Sequence, residues 1–577
     1  MHRPLSLAAS LLALAPLVSL AACEDDGSSS TSTPDTTSPT SSVGGSGGAG
    51  GGAGGSGAEG GAGGSGGEGG QSAPIVWGPC PESYVDAECA TVPMPLDHDH
   101  PEGATIDIFV ARRLSGQPDA PQLWMLEGGP GSSGEAFFYG AVDRFAALMP
   151  GVDLYVPDHR GTGRSGHLAC DGEDPASPGG NLIVAEEWPA CAAQVATERA
   201  ADLPFLDVTS AARDLGALIA RASAPDQPVL LYGLSYGSYL ALRYLHLFPE
   251  RLNAVVLEGV VSPGELFVSQ LDQVNDLPAQ AYAALCAADP TCSSKLGPDP
   301  WARLGAIAAM LDAGHCAAAG IDRRMLREIM AGLFMGWRTR LVSLALPYRL
   351  ERCAAEDLVA IEHFKTLWFE PYDLTGFSQA LEVHIDVSEL WEDPAPSAAE
   401  LEARADAAIY SPNWAETRRD VYPLWPKYPA DGYTLTWPET DVPMLMLNGT
   451  LDSQTHLTQA EIAASHFNGP HQTFVAVPNA PHVVSAQSPT TLGDNVPCGT
   501  RIIANFLLAP ASPVDTSCIA ALRPLEFEDA TRAAVYFGTG SVWENVPLSA
   551  SAAPTAASTA APTAPPLRRA WHDDAQR

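Results

Sequence analysis

Basic residues are scarce in this sequence. Its 577 residues include 31 lysines and arginines against 68 aspartates and glutamates, which gives a net charge of −37. A surface with that excess of negative charge repels phosphate groups, so the composition argues against nucleic acid and anionic lipid as partners. The cysteines also lack the spacing of zinc ligands, and the chain contains no internal repeat. The sequence therefore favours a soluble folded domain over a nucleic-acid-binding or zinc-stabilised one.

Long apolar runs are missing as well. The run at residues 5–20 follows a basic start and is broken by Pro16, so it is typical of a secretory signal and too short for a membrane span. It ends in Leu-Ala-Ala-Cys at residues 20–23, which resembles the bacterial lipobox. We predict a signal peptide over residues 1–22 and lipidation of Cys23. The alternative is ordinary cleavage that leaves Cys23 as a spare thiol.

The cysteine count supports the lipid anchor. Eleven cysteines leave one without a partner in an exported protein, and a lipidated Cys23 would account for it. The order of the other ten suggests five local disulfides between neighbours: Cys80 with Cys89, Cys170 with Cys191, Cys286 with Cys292, Cys316 with Cys353, and Cys498 with Cys518. We predict an exported protein, lipid-anchored in the bacterial cell envelope, that meets the membrane only through this anchor.

Low-complexity segments flank the part that can fold. Eighteen of the 53 glycines lie between residues 44 and 70, where the chain cannot bury enough apolar surface to become ordered. We expect residues 23–72 to form a tether with an r.m.s. span of roughly 40 Å. Residues 548–577, rich in Ala, Pro, Ser and Thr, read as a low-complexity tail.

Between these segments, short apolar stretches alternate with helical ones. This alternation predicts a mostly parallel sheet covered on both faces, with the ligand site at the carboxyl ends of its strands. From residue 261 to 440 the strands stop, and Met325, Ile329 and Leu333 recur at helical spacing. We therefore divide the fold into a sheet core over residues 73–260 and 441–547, split by a helical lid over 261–440. The predicted strands cover residues 106–112, 122–126, 153–157, 228–232, 253–257, 443–447 and 472–477.

The segment Gly-Leu-Ser-Tyr-Gly at residues 233–237 is a G-x-S-x-G motif that follows a strand and opens a helix. In that context a strained turn projects the serine hydroxyl above the sheet. We predict Ser235 as a nucleophile.

A serine nucleophile needs a base, and the base needs an orienting carboxylate, in the chain order serine, acid, histidine for this motif. Asp452 follows the predicted strand at 443–447, and His482 follows the last one. A loop-capping aspartate and a surface histidine are the alternatives. The competing histidines, His456, His466 and His471, lie in a helical stretch or at the wrong end of a strand. We predict Asp452 and His482 as the partners of Ser235.

Acyl transfer also needs hydrogen-bond donors for the oxyanion. The backbone N–H of Tyr236, directly after the serine, is one candidate. The other comes from Gly-Gly-Pro-Gly at residues 128–131, where we choose Gly129 and keep Gly128 as the alternative. A simple tight turn is the competing explanation for these glycines.

Three motifs in order carry a family resemblance: Glu-Gly-Gly-Pro-Gly-Ser-Ser-Gly at 127–134, Asp-His-Arg-Gly-Thr-Gly-Arg-Ser at 158–165, and the serine motif. Together they resemble the prolyl iminopeptidase branch of the α/β-hydrolases and, more closely, the secreted tripeptidyl aminopeptidases. The resemblance implies an α/β-hydrolase fold and a serine exopeptidase that needs neither metal nor cofactor. Two departures stand out: Glu127 replaces the usual histidine of prolyl iminopeptidases, and residues 383–389 lack the cysteine often found before the Ser-Glu pair.

An aminopeptidase must hold the ammonium group of its substrate with carboxylates. Family position suggests Glu389, with Asp386 and Glu135 as further candidates, although each could equally be a solvated surface acid. The cluster at residues 97–100 resembles a metal site but lies beside Pro101 between two strand-like segments, so we interpret it as a turn. The cluster at residues 171–174 lacks the spacing of a calcium loop, and we predict no metal at either place.

The sequence thus predicts an aminopeptidase that releases proline or a tripeptide from free N-termini. One alternative keeps the triad but acts on small esters, amides or lactones. The other is a non-catalytic surface binding protein. Nothing in the sequence indicates an oligomeric state.

Overall fold

The apolar segments form a nine-stranded sheet in the computed structural model, which describes residues 74–369, 374 and 376–548. The strand order is β1-β2-β3-β5-β4-β6-β7-β8-β9; β1, β2 and β3 run antiparallel to their neighbours, and the six strands from β5 to β9 in this order are parallel. The strands are β1 Gly78–Pro79, β2 Glu88–Pro95, β3 Thr105–Arg113, β4 Gln122–Leu126, β5 Asp153–Pro157, β6 Val229–Leu234, β7 Ala254–Glu258, β8 Met444–Gly449 and β9 Gln472–Val477. The predicted mostly parallel α/β sheet is confirmed.

Both faces of the parallel part are covered. Every residue of β4, β5, β6, β7 and β8 is buried, which is why these strands appear in the sequence as continuous apolar runs. The helices that belong to the core are α1 Glu135–Phe138, α2 Ala141–Leu148, α3 Trp188–Glu198, α4 Val208–Ala222, α5 Tyr236–Leu247, α16 Leu457–His466, α17 Val484–Gln487 and α18 Cys498–Leu508.

Among the described residues, ten α-helices lie between β7 and β8. Several begin where the sequence supplies a cap: the carboxylates of Asp289, Asp299 and Asp322 accept hydrogen bonds from backbone N–H groups in the first turn of α8, α9 and α10. These helices are α6 Leu271–Val274, α7 Asp276–Ala288, α8 Pro290–Leu296, α9 Pro300–Asp312, α10 Arg323–Phe334, α11 Arg340–Arg352, α12 Ala355–Trp368, α13 Gln379–Glu389, α14 Ala398–Ala407 and α15 Trp414–Val421. We call this segment the lid.

The C-terminal residues depart from the division made on sequence. A last helix, α19 Ala530–Phe537, follows the core, but Phe527, Phe537 and Trp543 are buried among the lid helices rather than against the sheet. The sequence boundary at 441 assigned this segment to the core. The physical reason is the burial of apolar surface. The lid helices α7 to α12 carry apolar side chains, and the large side chains of the C-terminal segment pack against them.

All five predicted disulfides form, with the expected pairing. Such bonds are typical of proteins outside the cytoplasm. Among the described helices, none is both long and apolar enough to cross a membrane. The predicted signal, Cys23, the tether and nearly all of the tail lie outside the described residues.

Candidate active site

Ser235 sits on a sharp turn between β6 and α5. Its backbone has φ 55° and ψ −124°, a strained conformation for a residue with a side chain. The turn is possible because Gly237 lacks a side chain: a Cβ there would lie 2.2 Å from the carbonyl oxygen of Leu126. The Ser235 side chain is half-buried at the carboxyl edge of the sheet. This is the geometry that the G-x-S-x-G motif predicts.

Asp452 and His482 meet across the ends of β8 and β9. Oδ2 of Asp452 lies 2.8 Å from Nδ1 of His482, and both side chains are buried. The other carboxylate oxygen accepts hydrogen bonds from the backbone N–H groups of Gln454 and Thr455, 2.9 Å each. The carboxylate is therefore fixed in place and holds one ring nitrogen of His482.

The end of β7 joins these residues to Ser235. The Ser235 N–H donates to the carbonyl of Glu258 at 2.8 Å. The next residue, Gly259, lies against the histidine: a Cβ there would be 2.7 Å from Cε1 of His482. Ser235, Asp452 and His482 therefore follow the carboxyl ends of β6, β8 and β9, and the end of β7 lies against both Ser235 and His482.

The glycine loop after β4 lies beside the serine. A Cβ on Gly128 would be 2.9 Å from Cβ of Ser235 and 3.4 Å from its Oγ, so only glycine permits this approach. Gly129 follows with φ 109° and is exposed. Helix α5 begins at Tyr236, whose backbone N–H has no acceptor within the first helical turn. The candidate oxyanion donors therefore flank Ser235.

The loop at residues 158–165 is hydrogen-bonded to the end of the glycine loop at residues 127–134. The Asp158 carboxylate accepts hydrogen bonds from the N–H groups of Gly134 and Arg164, 2.8 Å each. Nε2 of His159 lies 3.0 Å from the hydroxyl of Tyr236. Asp158 therefore links the loop at residues 158–165 to the glycine loop.

The sequence was compared with families of known proteins. A family model described as alpha/beta hydrolase fold matches residues 121–294. The chain has the α/β-hydrolase fold.

Three curated proteins whose names describe peptidases are similar in sequence to part of this chain. Serine protease Hip1 of Mycobacterium tuberculosis is 26% identical over 253 residues, which cover 39% of this chain and 47% of that protein. Tripeptidyl aminopeptidase of Streptomyces lividans is 28% identical over 32% of this chain and 38% of the relative. Proline iminopeptidase of Aeromonas sobria is 31% identical over 30% and 36%. The alignments thus span less than half the length of these relatives.

Two further carboxylates lie close to His482 in this α/β-hydrolase core. Glu258, at the end of β7, is buried and accepts hydrogen bonds from the Tyr232 hydroxyl at 2.5 Å and the Ser485 N–H at 2.6 Å. Glu127, at the end of β4, is half-buried, and burial raises its pKa to about 7. Burial lowers the pKa of His482, but Asp452, Glu258 and Glu127 outweigh it, so this pKa lies above its usual value.

Sequence reasoning missed the roles of both carboxylates. Glu258 directly follows the buried run at 254–257, so the strand-end argument that identified Asp452 could have found it. Thr455 was also missed; its hydroxyl lies 2.9 Å from Oδ2 of Asp452 and 3.1 Å from Nδ1 of His482. No sequence pattern marks a threonine three residues after a catalytic acid.

The carboxylates proposed for an ammonium group have other partners. Oε2 of Glu389 accepts hydrogen bonds from Arg243 at 2.6 Å and from the Tyr239 hydroxyl at 2.8 Å, and Oε1 accepts one from Tyr428. Asp386 is likewise buried beside Arg418. Glu389 and Asp386 are therefore each already in contact with an arginine inside the protein.

Glu135, the third candidate, lies half-buried at the start of α1, where it accepts a hydrogen bond from the Tyr139 hydroxyl at 3.0 Å. The competing histidines occupy other positions: His456 caps α16, His466 stacks on Trp437, and His471 directly precedes β9. Within the part of the chain that the structure describes, no three acidic, histidine or cysteine side chains are grouped as metal ligands.

Proposed function

We propose that this protein is a serine hydrolase that works through an acyl-enzyme, and that it is an aminopeptidase releasing proline or a tripeptide from free N-termini. The observation that carries the first part is the Asp452–His482 contact of 2.8 Å at the edge where Ser235 occupies its strained turn. Ser235, Asp452 and His482 are residues of the required types and follow one another in the required chain order.

The chemistry follows from these positions. Nδ1 of His482, held by Asp452, carries a proton, so Nε2 is free to accept the hydroxyl proton of Ser235. The serine oxygen attacks the substrate carbonyl, whose oxygen becomes negative and is stabilised by the N–H groups of Tyr236 and Gly129. His482 then gives its proton to the leaving amine as the carbonyl–nitrogen bond breaks. Water, deprotonated by His482, cleaves the resulting ester and restores Ser235.

The peptidase assignment is supported by the names of the relatives, which are a serine protease, a tripeptidyl aminopeptidase and a proline iminopeptidase. An acidic chain is also compatible with substrates that carry a positive N-terminus, since its net charge is −37. The substrate would be a peptide.

A chromogenic panel tests the assignment. Prolyl and tripeptidyl p-nitroanilides with a free N-terminus are compared with the same compounds carrying an acetyl block, and with short p-nitrophenyl esters. An aminopeptidase hydrolyses the compounds with a free N-terminus and does not hydrolyse the acetylated ones. The variant Ser235→Ala should hydrolyse none of the compounds. Turnover of blocked peptides and esters, with none of free peptides, would show the peptidase assignment to be wrong.

A second function with the same triad is hydrolysis of small esters, amides or lactones. It is favoured by one observation: Glu389 and Asp386 already bind Arg243 and Arg418, so neither carboxylate is held in reserve for an ammonium group. The ester arm of the panel distinguishes this function from the first.

We propose further that the protein is exported and lipid-anchored in the cell envelope through Cys23. The lipobox-like residues and the five disulfides support this location. Incorporation of a labelled fatty acid that is lost in Cys23→Ser would support the anchor, and label retained in that variant would contradict it.

A further inference from the structure

The chain segment that carries His482 is attached to the lid. Gln487, the last residue of α17, is buried between the His482 loop and the turn that joins α10 to α11. We call residues 335–340 the lid turn. Its contacts with the histidine loop give the lid a direct connection to the proposed catalytic base.

The side-chain amide of Gln487 makes this connection with both of its ends. Nε2 donates to the carbonyl of His482 at 2.9 Å and lies 3.3 Å from the carbonyl of Met335. Oε1 accepts the backbone N–H of Trp337 at 2.7 Å. One buried amide therefore bridges the backbone of the histidine and the backbone of the lid turn.

Arg340 makes a second connection on the other side of His482. Its Nη1 donates to the carbonyl of Asn479 at 2.6 Å, three residues before the histidine. The guanidinium also lies 4.2 Å from the centre of the Trp337 ring, which fixes its direction. The lid turn thus holds the histidine loop both before and after His482.

The backbone at this place needs such support. Val483, directly after the histidine, has φ 59°, a conformation that is costly for a β-branched residue. The loop retains it only if surrounding contacts hold the neighbouring peptide groups. Asp452 fixes one nitrogen of the ring, but the ring can reach Ser235 only if the backbone of His482 also stays in place.

We propose that Gln487 is a positioning residue through which the lid turn sets the place of His482 relative to Ser235. The inference rests on the proposed serine hydrolase function. It differs from a purely stabilising role, because a positioning residue changes the rate of the reaction in molecules that are fully folded.

The test uses the whole chain and a fluorophosphonate probe at pH 8. The final amount of labelled protein counts folded sites, and the rate constant of labelling reports how well His482 activates Ser235. Gln487→Met keeps the size of the side chain but removes all three hydrogen bonds. Gln472→Met is the matched control, because the amide of Gln472 also bridges backbone groups, at the opposite end of the sheet.

We expect Gln487→Met to lower the rate constant on the order of 10- to 100-fold in the sites that react. Gln472→Met should leave the rate constant of labelling unchanged. Any effect of this variant on folding would appear only in the final amount of labelled protein. Gln487→Glu keeps an acceptor for Trp337 but offers no donor to the His482 carbonyl at this pH, so we expect the same slowing.

The outcomes separate two failures. Wild-type rate constants in both Gln487 variants would overturn the positioning role while leaving the proposed function intact. No labelling of the unaltered chain would overturn the proposed function and this inference together.

Discussion

At the residue scale, the proposed chemistry depends on Asp452 and its contact with Nδ1 of His482. Asp452→Asn keeps the shape of the side chain but favours the wrong tautomer of the imidazole. By analogy with other triads, we expect kcat to fall on the order of 10⁴-fold with little change in KM. Steady-state kinetics on an activated ester measure this, and circular dichroism checks that the variant folds. A loss of less than tenfold would contradict the role of Asp452.

The pH dependence follows from the charges around His482. The reaction needs a neutral imidazole, and the pKa of His482 lies above its usual value, so activity should rise with pH through a midpoint above about 6.5. Glu127 has a pKa of about 7 and is therefore only partly ionised where His482 titrates, and Glu127→Gln removes the negative charge that it contributes to stabilising the imidazolium. The pKa of His482 should fall, and the acid limb should move to lower pH.

The measurement is the pH profile of kcat/KM for Glu127→Gln against wild type. Glu356→Gln serves as the control, because Glu356 is exposed in the first turn of the lid helix α12 and is not among the charges that act most strongly on His482. A midpoint in Glu127→Gln that is unchanged or higher would mean that Glu127 does not act on the base.

The candidate catalytic residues Ser235, Asp452 and His482 could be proposed from the sequence because each follows a strand that the apolar pattern predicts. The surroundings of Glu389 could not. Its partners Arg243, Tyr239 and Tyr428 lie 146, 150 and 39 residues away, so only the packing of the lid on α5 brings them to the carboxylate. Local sequence patterns predict which element a residue belongs to, whereas the partners of its side chain depend on tertiary structure.

At the element scale, the turn from β6 to α5 depends on a glycine. In Gly237→Ala the new methyl group would lie 2.2 Å from the carbonyl oxygen of Leu126, a backbone atom that cannot move independently. We expect a loss of about 3 kcal/mol in the free energy of unfolding, together with loss of fluorophosphonate labelling.

Gly432→Ala is the matched control, since a Cβ at this exposed position would meet nothing within 4 Å. Its free energy of unfolding should stay within about 0.5 kcal/mol of wild type. Urea titration measures both variants, and equal stability of the two would refute the steric account of the turn.

The sequence predicted the strands from β3 to β9 and missed β1 and β2. The parallel strands are buried on both faces, so their apolar runs identify them. Strand β2 was missed because Pro93 and Pro95 argue against a strand. It is tolerated because β1 pairs only with its first two residues, so the prolines face an edge without a neighbouring strand among the described residues.

At the scale of the whole molecule, the C-terminal segment at residues 527–545 is attached to the lid through hydrogen bonds of Arg349. This buried guanidinium on α11 donates to the carbonyls of Ser541, Val542 and Glu544. Arg349→Met would leave these carbonyls without the donor, and we expect the free energy of unfolding to fall by about 3 kcal/mol or more.

Arg419→Met provides the comparison, because Arg419 forms an ion pair with the exposed Asp420 and should contribute less than about 1 kcal/mol. Thermal and urea unfolding of both variants give the difference. If Arg349→Met were as stable as Arg419→Met, the C-terminal segment would not stabilise the lid. The sequence could not show this contact, because Arg349 and Val542 are 193 residues apart.

The central claim is that Ser235 is a nucleophile activated by His482 and Asp452. The most direct measurement is covalent labelling of the intact chain with a fluorophosphonate, followed by mass spectrometry of the labelled peptide. The account predicts one label per chain, on Ser235, absent in Ser235→Ala and retained in a control variant of an exposed serine, Ser465→Ala. An unlabelled wild-type chain, or a label that persists in Ser235→Ala, would contradict it.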